Sequence, residues 1–160
     1  MRVTIAAVGK MKRGPEQDLV GRYFDRLGKT GGQVGLDFRG VREIVESRHS
    51  GVSERRREEA SRLADGLDAD GARIVFDERG ETLSSEEFAA FLAQMRDAGR
   101  REACFVLGGP DGHDPDFTRS AEKCLSFGRM TFPHQIARIM LAEQLYRAVT
   151  ILSGHPYHRA

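Results

Sequence analysis

"ACFVLGGPDGHDP", Ala103 to Pro115, is the stretch that decides the fold. Ala103 to Leu107 is an unbroken apolar run of strand length, stopped by glycine, and reads as a buried strand. Asp114 followed by Pro115 is a helix N-cap with proline in the first turn, so a helix is expected to about Cys124. Gly108-Gly109-Pro110-Asp111-Gly112 joins the two. A buried strand passing through a tight loop into a helix is the repeating step of an α/β fold.

The alternation extends in both directions. Val3 to Val8 is a β-rich run closed by Gly9. Pro15 opens a helix whose apolar positions Leu19, Val20, Tyr23, Phe24 and Leu27 recur at helical spacing, with Gly28 as its stop. Beyond the breaker Gly31-Gly32, Val34, Leu36 and Phe38 alternate with polar neighbours as in a half-buried strand. Ser53 is placed to cap a helix from Glu54 to Leu67, and Arg73 to Phe76 makes a short third strand. Ser84 and Glu87 have capping-box spacing, ahead of the stripe Phe88, Phe91, Leu92 and Met95 and the stop Gly99. Leu125 to Phe132 is expected to hold a fifth strand. A long amphipathic helix follows Pro133 and stops at Gly154. This order predicts one α/β domain over residues 1–160, a mostly parallel sheet flanked by helices. Ligands then collect at the carboxyl ends of the strands, in the loops after Phe76, after Leu107 and from Phe127 to Pro133.

Composition limits the function classes. Hydrophobic residues are 39% and charged residues 31% of 160, enough for a core and unlike a disordered chain. The apolar runs fall far short of a membrane span, and the start of the chain has no signal-peptide core, so a cytoplasmic protein without a membrane partner is expected. Cys104 and Cys124 make no disulfide framework and are expected reduced. The histidines and cysteines lack metal-ligand spacing, so no metal is expected. The net charge is only +1, but from Leu125 to Ala160 Glu143 is the sole acid against Arg129, Arg138, Arg147 and Arg159. That end reads as a solvated basic face or as a surface attractive to phosphate. Arg55-Arg56-Arg57-Glu58-Glu59 reads first as an exposed, ion-paired helix face and second as an RNA contact.

The glycine loop is neither a dinucleotide fingerprint nor a P-loop, because both spacings are absent. Pro110 stiffens it, and glycine allows backbone to approach a flat polar ligand, although a plain connecting turn is the commoner use of these residues. His113 beside it reads as a surface histidine. The terminus "SGHPYHRA", Ser153 to Ala160, holds an aromatic able to stack on a base, two histidines and an arginine, or is simply a frayed tail.

Taken together, "AVGK" (Ala7–Lys10), "LGGPDG" (Leu107–Gly112), "MTFPHQIARIMLAEQLYRA" (Met130–Ala148) and "HPYHR" (His155–Arg159) resemble the RlmH family. These are bacterial 23S ribosomal RNA methyltransferases of the knotted SPOUT superfamily. The likeness spans the chain and is strongest from Phe105 onward; Gly40 to Asp70 matches only as a charged helix. The resemblance implies S-adenosylmethionine as methyl donor, a homodimer, a C-terminal trefoil knot and methylation of N3 of a pseudouridine on the assembled ribosome. It places the cofactor at Phe76, where the family usually has leucine before an aspartate, at Gly108 and Gly109, and at Gly128-Arg129-Met130-Thr131-Phe132-Pro133.

Methyl transfer to an imide nitrogen requires alignment and removal of the N3 proton. The expected catalytic group is the tail: His155, Tyr157, His158 and Arg159, reaching the partner subunit's cofactor. Arg129, Arg138 and Arg159 are the expected RNA contacts. Two rivals stand beside this reading: an NAD-type α/β dehydrogenase, against which the broken fingerprint counts, and a non-catalytic ribosome-binding module, in which the glycine loop has no purpose.

Overall fold

The computed structural model describes residues 1–68 and 70–159. Ala69, in the charged Gly40–Asp70 segment, and Ala160, the last residue of the tail, lie outside the described residues. Strands β1 (Arg2–Val8), β2 (Asp37–Ile44), β3 (Ala72–Thr82), β4 (Glu102–Leu107) and β5 (Lys123–Ser126) form one wholly parallel sheet in the order β2-β1-β4-β3-β5. Helices α1 (Pro15–Thr30), α2 (Val52–Ala64), α3 (Ser85–Asp97), α4 (Pro115–Arg119) and α5 (His134–Leu152) flank it.

Period-two alternation sorts the strand residues between two cores. Val3, Ile5 and Ala7 of β1, Ile74 of β3 and Phe105 and Leu107 of β4 face Leu27 of α1, Leu92 of α3 and Leu141 and Leu145 of α5. Ala6, Val8, Val75, Cys104 and Val106 face Leu63 of α2 and Phe117 of α4. Connections that step one way along the sheet use the first face, and those that step the other way use the second. That division is the geometry of uniformly right-handed crossovers. β4 is buried along its whole length, as the opening run predicts.

Several boundaries shift, each for a tertiary reason. α1 passes through Gly28, where the backbone keeps its helical conformation, and ends at Thr30. The chain bends at Gly31 instead, where a Cβ would lie 2.2 Å from the Leu36 carbonyl oxygen. A 3-10 turn, Gly31–Val34, absorbs the start of the expected second strand, which begins at Asp37. α2 starts at Val52, so Ser53 lies inside it and caps nothing. β3 runs on to Thr82, pairing with β5 around a bulge between Phe76 and Glu81, although its polar residues do not look like a strand. α4 stops at Arg119 rather than near Cys124, because Glu122 N donates to the Arg73 carbonyl (2.9 Å) and the chain enters β5. β5 ends at Ser126, leaving 127–133 as loop. The Ser84–Glu87 capping box forms as expected.

Leu141 is fully buried where α5 meets the sheet. Leu141→Ala should lower unfolding stability in urea by about 2–5 kcal/mol, the usual range for a core leucine. A loss under about 1 kcal/mol would mean that α5 does not carry this core.

Candidate active site

Strand register sets the site. Glu43, Ala7, Leu107, Phe76 and Leu125 stand in one row across the five strands. The chain therefore leaves β1, β2, β4 and β5 nearly level at the carboxyl edge, while β3 bulges past Phe76 and runs on to Thr82. Outgoing chain from β1 turns to one face and from β4 to the other, which opens a crevice between these neighbouring strands. The segment after β5 leaves the far edge of the sheet and reaches α5, whose His134 lies beside Gly9 at the end of β1. It must therefore cross the ends of β3 and β4. Of the three segments placed there by sequence, the loop after Leu107 and residues 127–133 leave this edge as loops, whereas the chain after Phe76 bulges and continues as β3 to Thr82.

The glycine loop closes on itself. Gly112 N donates to the Gly109 carbonyl (3.0 Å) across Pro110 and Asp111. Arg55 of α2 grips the Asp111 carboxylate with Nε (2.6 Å) and Nη2 (3.1 Å), and Arg56 Nε donates to the Asp111 carbonyl (2.7 Å). The bidentate pair holds Asp111 ionised, below the usual carboxylate range, chiefly through the Arg55 hydrogen bonds. Arg55 and Arg56 are thus not merely an exposed face; they clamp this loop. Sequence offers no signal for a partner 56 positions away.

His113 also departs from expectation. It is buried beneath the loop, stacked on Phe117, with Nε2 3.2 Å from the Phe76 carbonyl. A carbonyl only accepts, so Nε2 carries the proton and donates. Burial pushes the His113 pKa down, favouring the neutral ring. A Cβ on Gly108 would meet this ring at 3.0 Å, and one on Gly109 would meet Val8 Cγ1 at 3.0 Å and Glu59 Oε2 at 3.2 Å. Close packing against the chain's own side chains explains both glycines. Glu59 is buried, and its Oε1 accepts from Ser47 N (2.8 Å); desolvation raises its pKa. Glu59 shares a helix face with Leu63 four residues on, which is the signal that marks it as inward.

The other walls are apolar and backbone. Phe76 stacks on Phe127, ring centroids 4.4 Å apart and 17° from parallel. Ser126 Oγ ties Gly128 through both its amide (3.1 Å) and its carbonyl (2.9 Å). Arg129, Met130, Thr131 and Pro133 are exposed, and Phe132 is half-buried. A ring wall beside free backbone groups suits a flat heterocycle with a polar edge. Two open hollows, of about 740 and 690 Å³, lie elsewhere, one between the end of β2 and α2, the other at the amino edge near Arg73 and Glu102. Convergence of loops, not hollow size, locates the candidate site.

Arg138 is not a surface cation. It is 1% exposed, pairs with Glu43, and donates through Nη2 to the Gly9 carbonyl (2.9 Å). Burial depresses its pKa, and Glu43 opposes that shift. Its place three residues before Leu141 on the apolar stripe is the sequence signal for this inward position. Within one chain it is unavailable to RNA.

Within the described part of the tail, Tyr157 and His158 pack on α1, α3 and α5. Tyr157 meets Tyr146 edge-on at 4.9 Å and donates its hydroxyl to Glu143 Oε1 (3.2 Å), while Arg147 lies over its ring at 5.0 Å. Burial, with Tyr23 and Glu143 close by, pushes the Tyr157 phenol well above its ordinary value. His158 Nε2 lies 2.7 Å from Glu86 Oε1 and its Nδ1 3.3 Å from Arg147 Nη1. His155 and Arg159 are exposed. Tail contacts go to α1, α3 and α5, and glycine-loop contacts to α2 and β3. A single chain does not bring the expected catalytic and cofactor residues together.

Comparison with known proteins gives a consistent result. Residues 1–158 match the family described as "Predicted SPOUT methyltransferase". The chain is 55% identical over 160 residues to "Ribosomal RNA large subunit methyltransferase H" of Brucella anthropi, covering 100% of both chains. A protein of the same name from Brucella abortus is 53% identical over 169 residues, and one from Mesorhizobium japonicum 52% over 160, again covering both chains fully.

Arg55→Ala should speed hydrogen exchange at the Gly112 amide several-fold while α5 amides keep their protection; unchanged Gly112 exchange would assign the stiffness to Pro110 alone. Glu59 gives a pH signature. Its folded pKa is raised, so its contribution to stability is full below the ordinary carboxylate value and lost as pH rises through the raised one. Glu59→Gln should therefore raise the urea midpoint above wild type near about pH 7.5, with the gap closing toward about pH 4.5. A gap independent of pH would contradict the assignment.

Proposed function

This chain belongs to the SPOUT methyltransferase family, and from that premise we propose that it methylates N3 of a pseudouridine in 23S ribosomal RNA. The donor is S-adenosylmethionine, and the substrate is the assembled ribosome in the cytoplasm. The observation that carries the reading is full-length identity of 52–55% to proteins named ribosomal RNA large subunit methyltransferase H. Convergence of the glycine loop, Phe76 and residues 128–133 at the carboxyl edge supports it.

In this reading the stacked pair of Phe76 and Phe127 forms the wall beside the adenine, and the backbones of Gly108, Gly109 and residues 128–133 meet its polar edge and the rest of the cofactor. S-adenosylmethionine, when bound, supplies a methyl group made electrophilic by its sulfonium. The chain's own task is to align the acceptor nitrogen, exclude water and remove the N3 proton. Tyr157, with its phenol pushed up and donating to Glu143, orients rather than accepts a proton. His158 is engaged by Glu86 and Arg147, which leaves His155 and Arg159 as the tail groups open to a substrate. His155 Nδ1 accepts from Tyr157 N (3.1 Å), so its ring presents Nε2–H as a donor and orients the base rather than taking a proton, while Arg159 steadies negative charge on the imide as the N3 proton leaves.

Separation of tail and loops within one chain supports a homodimer in which the tail of one protomer completes the site of the other. The trefoil knot belongs to the same reading and involves the loop 127–133 that crosses the strand ends.

Removal of Ser153–Ala160 should abolish transfer of labelled methyl from S-adenosylmethionine to ribosomes from cells lacking this gene. The truncated protein should still bind S-adenosylmethionine in calorimetry. Wild-type rates from the truncated chain would refute the role of the tail, and heat with NAD instead would refute the cofactor.

A further inference from the structure

The loop after β1, "GKMKRG" from Gly9 to Gly14, carries Lys10, Lys12 and Arg13 and no acid. All three are exposed. Several other cations toward the carboxyl edge are already committed: Arg55 to Asp111, Arg62 to Glu58 and Arg138 to Glu43. Among the described residues, none of the ion pairs uses Lys10, Lys12 or Arg13. Exposed lysines are ordinarily just solvated surface, so the support beneath these matters more than their number.

That support is built. Met11 N donates to Glu43 Oε1 (2.9 Å), and the same carboxylate pairs with buried Arg138. Arg138 in turn holds the Gly9 carbonyl (2.9 Å). A buried cation thus pins the first residue of the loop and, through Glu43, its middle. The three charges stand on a loop whose backbone is already fixed, which lowers the entropy lost on binding. Glu46 beside Gly9 and Glu16 beside Gly14 are the neighbouring acids. Arg48 and Arg129, both exposed on loops at the same edge, extend the basic rim. Gly9 immediately follows the end of β1, the strand beside β4 and its glycine loop.

We infer that Lys10, Lys12 and Arg13 hold backbone phosphates of the RNA substrate beside the methyl-transfer site. Arg138 serves as the buried residue that positions this loop and makes no RNA contact itself. The inference rests on the ribosomal RNA reading above. It moves the phosphate contact from the C-terminal helix to the loop that the helix supports.

The test is Lys10→Ala/Lys12→Ala/Arg13→Ala, with Lys29→Ala/Arg101→Ala at the amino edge as control. Expected for the triple variant is a KM for ribosomes raised about ten-fold or more at moderate salt. The slope of log affinity for 23S RNA against log salt should flatten by about 2–3, near 0.7–0.9 per lost phosphate contact. The Kd for S-adenosylmethionine, kcat at saturating ribosomes and thermal midpoint should stay as in wild type, and the control variant should match wild type throughout. An unchanged ribosome KM and salt slope overturn the inference. Weakened binding to ribosomes with normal binding to deproteinised 23S RNA assigns the loop to an acidic ribosomal protein and overturns it too. A wild-type protein that methylates no ribosomal RNA defeats the functional reading, and this inference with it. Active wild type with an unaffected triple variant defeats the inference alone.

Discussion

The guanidinium of Arg138 is the constraint on which the carboxyl edge depends. It is a cation with 1% exposure, held by Glu43 of β2 and the Gly9 carbonyl at the end of β1. Glu43 itself touches solvent, and its removal would leave the buried guanidinium without its counter-charge. The pair therefore fixes where the first turns of α5 sit against the strand ends. With α5 fixed over β1 and β5 at the far edge of the sheet, residues 127–133 have to pass the ends of β3 and β4. The loop after β1 is held by the same carboxylate through Met11. One ion pair thus sets the path of two of the loops that frame the candidate site.

The third is set from the opposite face. α2 presents few apolar residues to the sheet, and its hold on the glycine loop is polar: Arg55 and Arg56 on Asp111, Glu59 against Gly109. The site edge is clamped from both sides, by a buried cation of α5 and by half-exposed cations of α2. The tail lies elsewhere, on α1, α3 and α5, with its tyrosine and one histidine already engaged by the chain. Under the proposed function, a cofactor edge in one place and a tail in another call for a second copy to complete the site.

Much of this was legible in the sequence, and the rest was not for identifiable reasons. The alternation of elements, the buried run Ala103–Leu107 and the Ser84–Glu87 capping box depend on local pattern and appear as read. β3 beyond Phe76 and the early end of α4 depend on strand pairing, which overrides local propensity. Arg138 was legible in principle, since its spacing to Leu141 and Leu145 puts it on the buried stripe; its charge outweighed its position. Asp111 with Arg55, and His113 beneath the loop, are contacts between distant segments that no spacing announces. The glycines of the loop had a reading in ligand approach, and the structure gives them one in packing against His113 and Val8.

The central claim is that the carboxyl-edge loops form the cofactor site, and a crystal structure with S-adenosylmethionine tests it most directly. The account predicts the adenine beside Phe76 and Phe127, in contact with backbone of Gly108–Gly109 and residues 128–133, with the tail of a second protomer closing over the methyl group. Density in the hollow between Ile44–His49 and α2, or at the amino edge near Arg73, would contradict it.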